Sequence, residues 1–105
     1  MRPQPIVIVE APPRLDATAS PIFGSFVIGL VEAGAHRLIL DFSAVGYLGS
    51  SGIRSLMLIS KSLAAHNGRL ALLGCHPTVT EVLRICGLNE DLKQAEVIED
   101  ARQCV

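Results

Sequence analysis

Two adjacent hydroxyls, Ser50 and Ser51, stand between glycines in the run Gly49-Ser50-Ser51-Gly52. Such a run at the start of a helix offers two kinds of chemistry. A serine oxygen can cap free backbone N–H groups. It can also accept a phosphate, whose charge the positive end of the helix dipole tolerates. A nucleotide-binding loop is excluded, because neither Gly-x-x-x-x-Gly-Lys-Ser/Thr nor Gly-x-Gly-x-x-Gly occurs. The nucleophile pattern Gly-x-Ser-x-Gly is absent too, one residue longer than the run found here.

The other reactive side chains are scattered. Cys75 and His76 are neighbours, but adjacency alone does not aim a base at a thiol. His36 and His66 fall just before a strand and at a helix end, where they read as exposed punctuation. No Cys or His pair has ligand spacing, so no metal or cofactor is expected. Asp41, ending a buried strand, reads as an acceptor that organises a turn. These residues describe a binding module, not an enzyme.

Composition narrows the partners. The chain has 105 residues, 50% hydrophobic and only 18% charged, with a net charge of −1. That is one domain with an apolar surface and no basic footprint for nucleic acid or an anionic bilayer. Three cysteines, an odd number, suit a reducing compartment rather than a disulfide framework. No signal peptide is read at the N-terminus. The longest uncharged stretch, Ala17 to Val31, is broken by Pro21, Gly24 and Gly29 and is too short for the roughly 20 residues of a spanning helix. A cytoplasmic protein, not inserted in a membrane, is expected.

The elements that must position the serines follow from hydrophobic patterning. Ile6–Val9 is a β-branched strand between prolines, and a helix is expected from Ala17 to Ala33, with Asp16, Thr18 or Ser20 as candidate caps. Arg37–Phe42 and Arg69–Gly74 are nearly continuous apolar strands, as in a sheet covered on both faces. A second helix starts near Ser51 and ends at Asn67-Gly68; a third runs from Pro77 to Gly87. Val97-Ile98 reads as a last short strand before a C-terminal turn of helix. The alternation implies parallel strands with right-handed crossovers, and sites at their carboxyl ends. Three loops lie there: Glu10–Asp16, Ser43–Ser51 and Gly74–Pro77.

Five blocks in register carry a resemblance. Arg14-Leu-Asp-Ala-Thr-Ala-Ser-Pro21, Leu38-Ile-Leu-Asp-Phe-Ser43, Tyr47-Leu-Gly-Ser-Ser-Gly-Ile53, Gly68-Arg-Leu-Ala-Leu-Leu-Gly74, and Val82-Leu83 with Cys86-Gly87-Leu88 together resemble a STAS domain. The type is the stand-alone bacterial anti-sigma factor antagonist. The resemblance implies one α/β domain over residues 1–105, with a small mixed, parallel-cored sheet and interspersed helices. It implies a switch in which the unphosphorylated domain binds an anti-sigma factor that is also a serine kinase, freeing a sigma factor. The kinase phosphorylates the second serine of an Asp-Ser-Ser-Gly motif, and a phosphatase resets the domain. That serine falls on Ser51, with Ser50 as the alternative acceptor. The partner surface is expected to comprise Asp16, Gly49, Ser50, Ser51, Gly52 and Arg54. The alternative role is a non-switching STAS scaffold in a larger sensory or transport assembly.

Two positions and the start of the chain depart from the family's pattern. Gly49 replaces the acidic residue before the serines, and Pro13 stands where the family has Gly. The chain begins at what corresponds to the family's second strand, which would leave Ile6, Val7, Ile8 and Val9 as an open sheet edge. The first helix is also apolar beyond one core stripe. The edge and the Phe23/Phe26 face are therefore candidate surfaces for a homodimer or a second partner.

Overall fold

Residues 4–105 are described by a computed structural model. Strand β1 (Ile6–Glu10) leads through β2 (Arg14–Leu15) to helix α1 (Ala19–Glu32). Then come β3 (Arg37–Asp41), β4 (Tyr47–Leu48), α2 (Ser50–Ala65), β5 (Arg69–Leu73), α3 (Pro77–Ile85), β6 (Lys93–Ala95) and α4 (Ile98–Cys104). The main sheet has the order β1-β3-β5-β6. Every pairing among the described residues is parallel, so the parallel core stands but the mixed sheet becomes an all-parallel one. The cause is connectivity: each main-sheet strand reaches its neighbour through a helical crossover, which returns the chain in the same direction.

Alternation along β3 and β5 divides the interior. Leu38, Leu40, Leu70 and Leu72 face a large core with Phe23, Val27 and Val31 of α1, Leu56, Ile59 and Leu63 of α2, and Val79 and Leu83 of α3. Ile39 and Ala71 face the other way, onto Ala101 and Ile98 of α4. A strand covered on both faces reads as a continuous apolar run, as β3 and β5 do.

Two elements differ from the sequence expectation. Val97 and Ile98 form no strand: Val97 is the N-cap of α4 and Ile98 its first residue. Their β-branching suggests a strand, but Ile98 and Ala101 are spaced to share one helix face, and Glu99 and Asp100 suit the first turn. The strand instead forms at the polar Lys93-Gln94-Ala95, held by its backbone pairing with β5. The first helix starts later than Ala17. Asp16, not Thr18 or Ser20, closes its amino end: Oδ1 accepts the N–H groups of Thr18 at 3.1 Å and Ala19 at 2.9 Å.

The candidate association surface is also redrawn. Phe23 is 7% exposed and belongs to the core, because it shares the stripe of Ser20, Gly24, Val27 and Val31. Phe26 and Ile22 lie outside that stripe, at 57% and 70% exposure. In β1, Val7 and Val9 pack on the main core while Ile8 faces out. β1 is an edge of the main sheet, pairing with β3 alone among the described residues.

Candidate functional site

The three loops at the carboxyl ends of the strands are tied together. The first two pair as a second, two-stranded parallel sheet, with Arg14 opposite Tyr47 and Leu15 opposite Leu48. Gly46 N–H donates to Pro13 O at 3.0 Å, and Gly49 N–H to Leu15 O at 3.1 Å. The third loop joins through His76, whose Nε2 lies 2.8 Å from the Ser43 carbonyl. Asp41 Oδ1 accepts the Ser43 N–H at 2.9 Å, the turn-organising role its position suggests.

This small sheet delivers the serines. Leu48 ends β4, Gly49 is the extended N-cap of α2, and Ser50 and Ser51 are the first two helical residues. No side chain caps α2, and its first turn holds no acidic residue. The two serines are therefore not serving as caps, the structural role their type suggests. Ser50 is exposed and Ser51 half-buried. Ser51 lines one end of a groove of about 370 Å³ between α1 and α2, together with Pro21, Ser25, Ile28, Arg54 and Leu58. Arg54, one turn along α2, is exposed.

The floor of the groove explains how closely the helices approach. A Cβ on Gly24 would stand 3.0 Å from Ser55 Oγ, and that hydroxyl donates to the buried carbonyl of Ser20 at 2.9 Å. Gly52 has a similar function and does not reach the surface where partner contact is expected of it. It is buried, and a Cβ there would meet Leu48 Cδ1 at 2.5 Å and the Leu15 carbonyl at 3.0 Å. Gly52 lets the first turn of α2 sit directly on β2 and β4. It positions its neighbours and touches nothing outside.

Two side chains outside the expected set complete the surface. The Arg14 guanidinium lies over the Tyr47 ring, 4.4 Å from its centroid, a cation–π stack between strand partners. Arg14 Nε is also 3.7 Å from Asp16 Oδ2. The Tyr47 ring in turn covers Gly49: a Cβ there would come within 3.0 Å of the phenol oxygen and 3.1 Å of Cε2. A two-residue strand has no periodicity to read, so the pairing of Arg14 with Tyr47 leaves no signal in the sequence.

The remaining candidates are quiet. The Ala19 N–H hydrogen bond, opposed by partial desolvation and aided by Thr18 N–H and Arg14, holds the Asp16 carboxyl below its usual range. Burial pushes the Cys75 thiol up to about 11. With its neighbour His76 engaged by a carbonyl, Cys75 has the opposite of what a thiolate nucleophile needs. Among the described residues no helix is long and apolar enough to cross a membrane.

Comparison with known proteins agrees with this architecture. The STAS domain family model matches residues 2–101, and the chain belongs to that family. BtrV of Bordetella bronchiseptica, named as an anti-sigma factor antagonist, is 37% identical over 57 residues, 54% of this chain and 49% of BtrV. The chain thus spans about half the length of that curated relative. The crystal structure of TM1081 from Thermotoga maritima, similarly named, superposes with a TM-score of 0.86 at 24% identity, covering 93% of this chain and 85% of that one. The anti-sigma factor antagonist SpoIIAA is similar at 25% identity over 98% of this chain. Its unphosphorylated form gives a TM-score of 0.81 over 90% of that chain, and its phosphorylated form 0.73 over 93%.

Proposed function

We propose that this chain is a phosphorylation-gated binding module of the anti-sigma factor antagonist type. Unphosphorylated, it binds an anti-sigma factor that is also a serine kinase, and so releases a sigma factor. Phosphorylation of Ser51 ends the complex, and a serine phosphatase restores it. The observation that carries this reading is the placement of Ser51: a half-exposed hydroxyl in the uncapped first turn of α2, among three loops fastened together. The likeness to SpoIIAA, which has been solved with and without its phosphate, supports it.

The energetics are adequate for a local switch. A phosphate adds about −1.5 to −2 charges at neutral pH. Within the chain that charge meets unpaired N–H groups at the start of α2, so the fold need not change. At a contact surface it must shed its water or face an opposing charge, which costs several kcal/mol. About 4 kcal/mol weakens binding roughly a thousandfold. The contact surface of this reading is Asp16, Gly49, Ser50, Ser51 and Arg54, joined by Arg14 and Tyr47, with Gly52 beneath as the spacer.

Incubation with the cognate kinase and ATP, followed by mass spectrometric mapping, tests the acceptor. One phosphate on Ser51 is the expected product. A phosphate on Ser50 would move the acceptor by one residue, and none at all would favour the non-switching scaffold.

A further inference from the structure

Ser51 and Arg54 line the same groove between α1 and α2, three residues apart on one helix. Residues at that spacing are surface neighbours, with Cβ atoms about 5–6 Å apart. Helical side chains lean toward the amino end, so the long Arg54 side chain reaches back over the turn that carries Ser51. An anion placed ahead of a cation is also the favourable order along a helix. Ser50, four residues before Arg54, is exposed and does not line the groove.

Arg54 is uncommitted in the unmodified chain. It is exposed and, among the described residues, has no ion-pair partner. Arg14 differs: it stacks on Tyr47 and lies 3.7 Å from Asp16 Oδ2. No Asp or Glu lines the groove, and the facing helix α1 carries no charge before Glu32 at its last position. Pro21, Ile28 and Leu58 give the groove apolar walls along which the arginine stem can lie. A charge pair beside such walls is less screened than one in open water. A phosphate on Ser51 would therefore meet one unengaged guanidinium, whose planar fork matches two of its oxygens.

We propose that Arg54 is the internal partner of a phosphate on Ser51. Its guanidinium closes on the phosphate, so that modification adds an anion to the contact surface and withdraws a cation from it in one step. This role for Arg54 rests on the reading of Ser51 as the acceptor.

The test uses the chain with phosphoserine installed at position 51 during synthesis, so no kinase is needed. Its phosphorus resonance is titrated with pH, since the second ionisation of a phosphoserine lies at about 6. A guanidinium beside the phosphate favours the dianion and lowers that value. The parent should titrate about 0.5 unit below Arg54→Gln, with Arg54→Lys in between. The N–H groups of the first turn act equally in every variant, so the difference reports residue 54 alone. Lys61→Gln, two turns farther along α2, should match the parent. Position 54 is exposed, so its variants should give an unchanged circular dichroism spectrum. Equal values for the parent and Arg54→Gln would overturn the proposal, and so would a shift abolished by Arg14→Gln instead. Failure of the pair would leave phosphorylation by a kinase standing, and a chain that no kinase modifies could still show the pair.

Discussion

The ring of Tyr47 occupies the space that a side chain on residue 49 would fill, within 3.0 Å of a Cβ built there. Gly49 itself is extended (φ −90°, ψ −179°), a conformation open to any residue. A small residue at position 49 is therefore favoured by its neighbour and not required by the backbone.

This relationship predicts a coupling. Gly49→Asp alone must push the Tyr47 ring aside and disturb its stack on Arg14, offsetting part of the gain from a better N-cap residue. In a Tyr47→Ala background the same substitution should stabilise the chain by a few tenths of a kcal/mol or more. The double-mutant cycle, measured by urea denaturation, should give a coupling of about 0.5–1.5 kcal/mol. Additive effects would show that the ring does not govern residue 49.

Gly52→Ala tests the spacer role. Its new methyl must enter the contact with Leu15 and Leu48, including the Leu15 backbone. Overpacking of this kind costs about 1–3 kcal/mol. The denaturation midpoint should fall accordingly. An unchanged midpoint would mean that the first turn of α2 is free to shift outward.

Acid should loosen the start of α1. The Asp16 carboxyl is held below its ordinary 3.8 chiefly by the Ala19 N–H, so the folded state binds fewer protons there than the unfolded one. Its contribution is complete above the unfolded value and is lost as pH falls through the folded one. Glu81, lowered first by its hydrogen bond from Arg84, acts with the same sign. Thermal melts should show Asp16→Asn losing less stability than the parent between pH 6 and pH 3. Asp16→Ala at neutral pH should lower Tm by about 4–8 °C as a lost cap. Equal acid sensitivity of Asp16→Asn and the parent would remove Asp16 from the account.

Thiol chemistry distinguishes two of the three cysteines. Cys86 is exposed, whereas Cys75 is partly buried with its thiol pushed up to about 11. Alkylation at pH 8 should label Cys86 first and leave Cys75 largely intact. Fast labelling of Cys75 would reopen the case for a thiol-dependent activity.

The sequence made some of this legible and hid the rest for physical reasons. β3 and β5 are apolar throughout because both their faces are covered, and α2 carries its core residues at spacings of three and four. β6 has no apolar signature because backbone pairing alone defines it. The sides of α1 were ambiguous, since Ile22, Phe23 and Phe26 are all apolar and only packing against the sheet and α2 decides which turn inward. At the site, Ser50 and Ser51 stand out locally as a glycine-flanked pair and Asp16 as a cap candidate, whereas their partner role, and Arg54, follow from the resemblance to a STAS domain. Gly52 as a buried spacer and the Arg14–Tyr47 stack depend on contacts between distant segments, which no local pattern encodes.

The central claim rests on one hydroxyl and is best tested by titrating the cognate kinase with three forms of this chain. The unphosphorylated parent and Ser51→Ala should bind alike, because Ser51 caps nothing whose loss would disturb the fold. The form phosphorylated on Ser51 should bind about a thousandfold more weakly while giving an unchanged circular dichroism spectrum. Equal affinity for all three folded forms would contradict the switch.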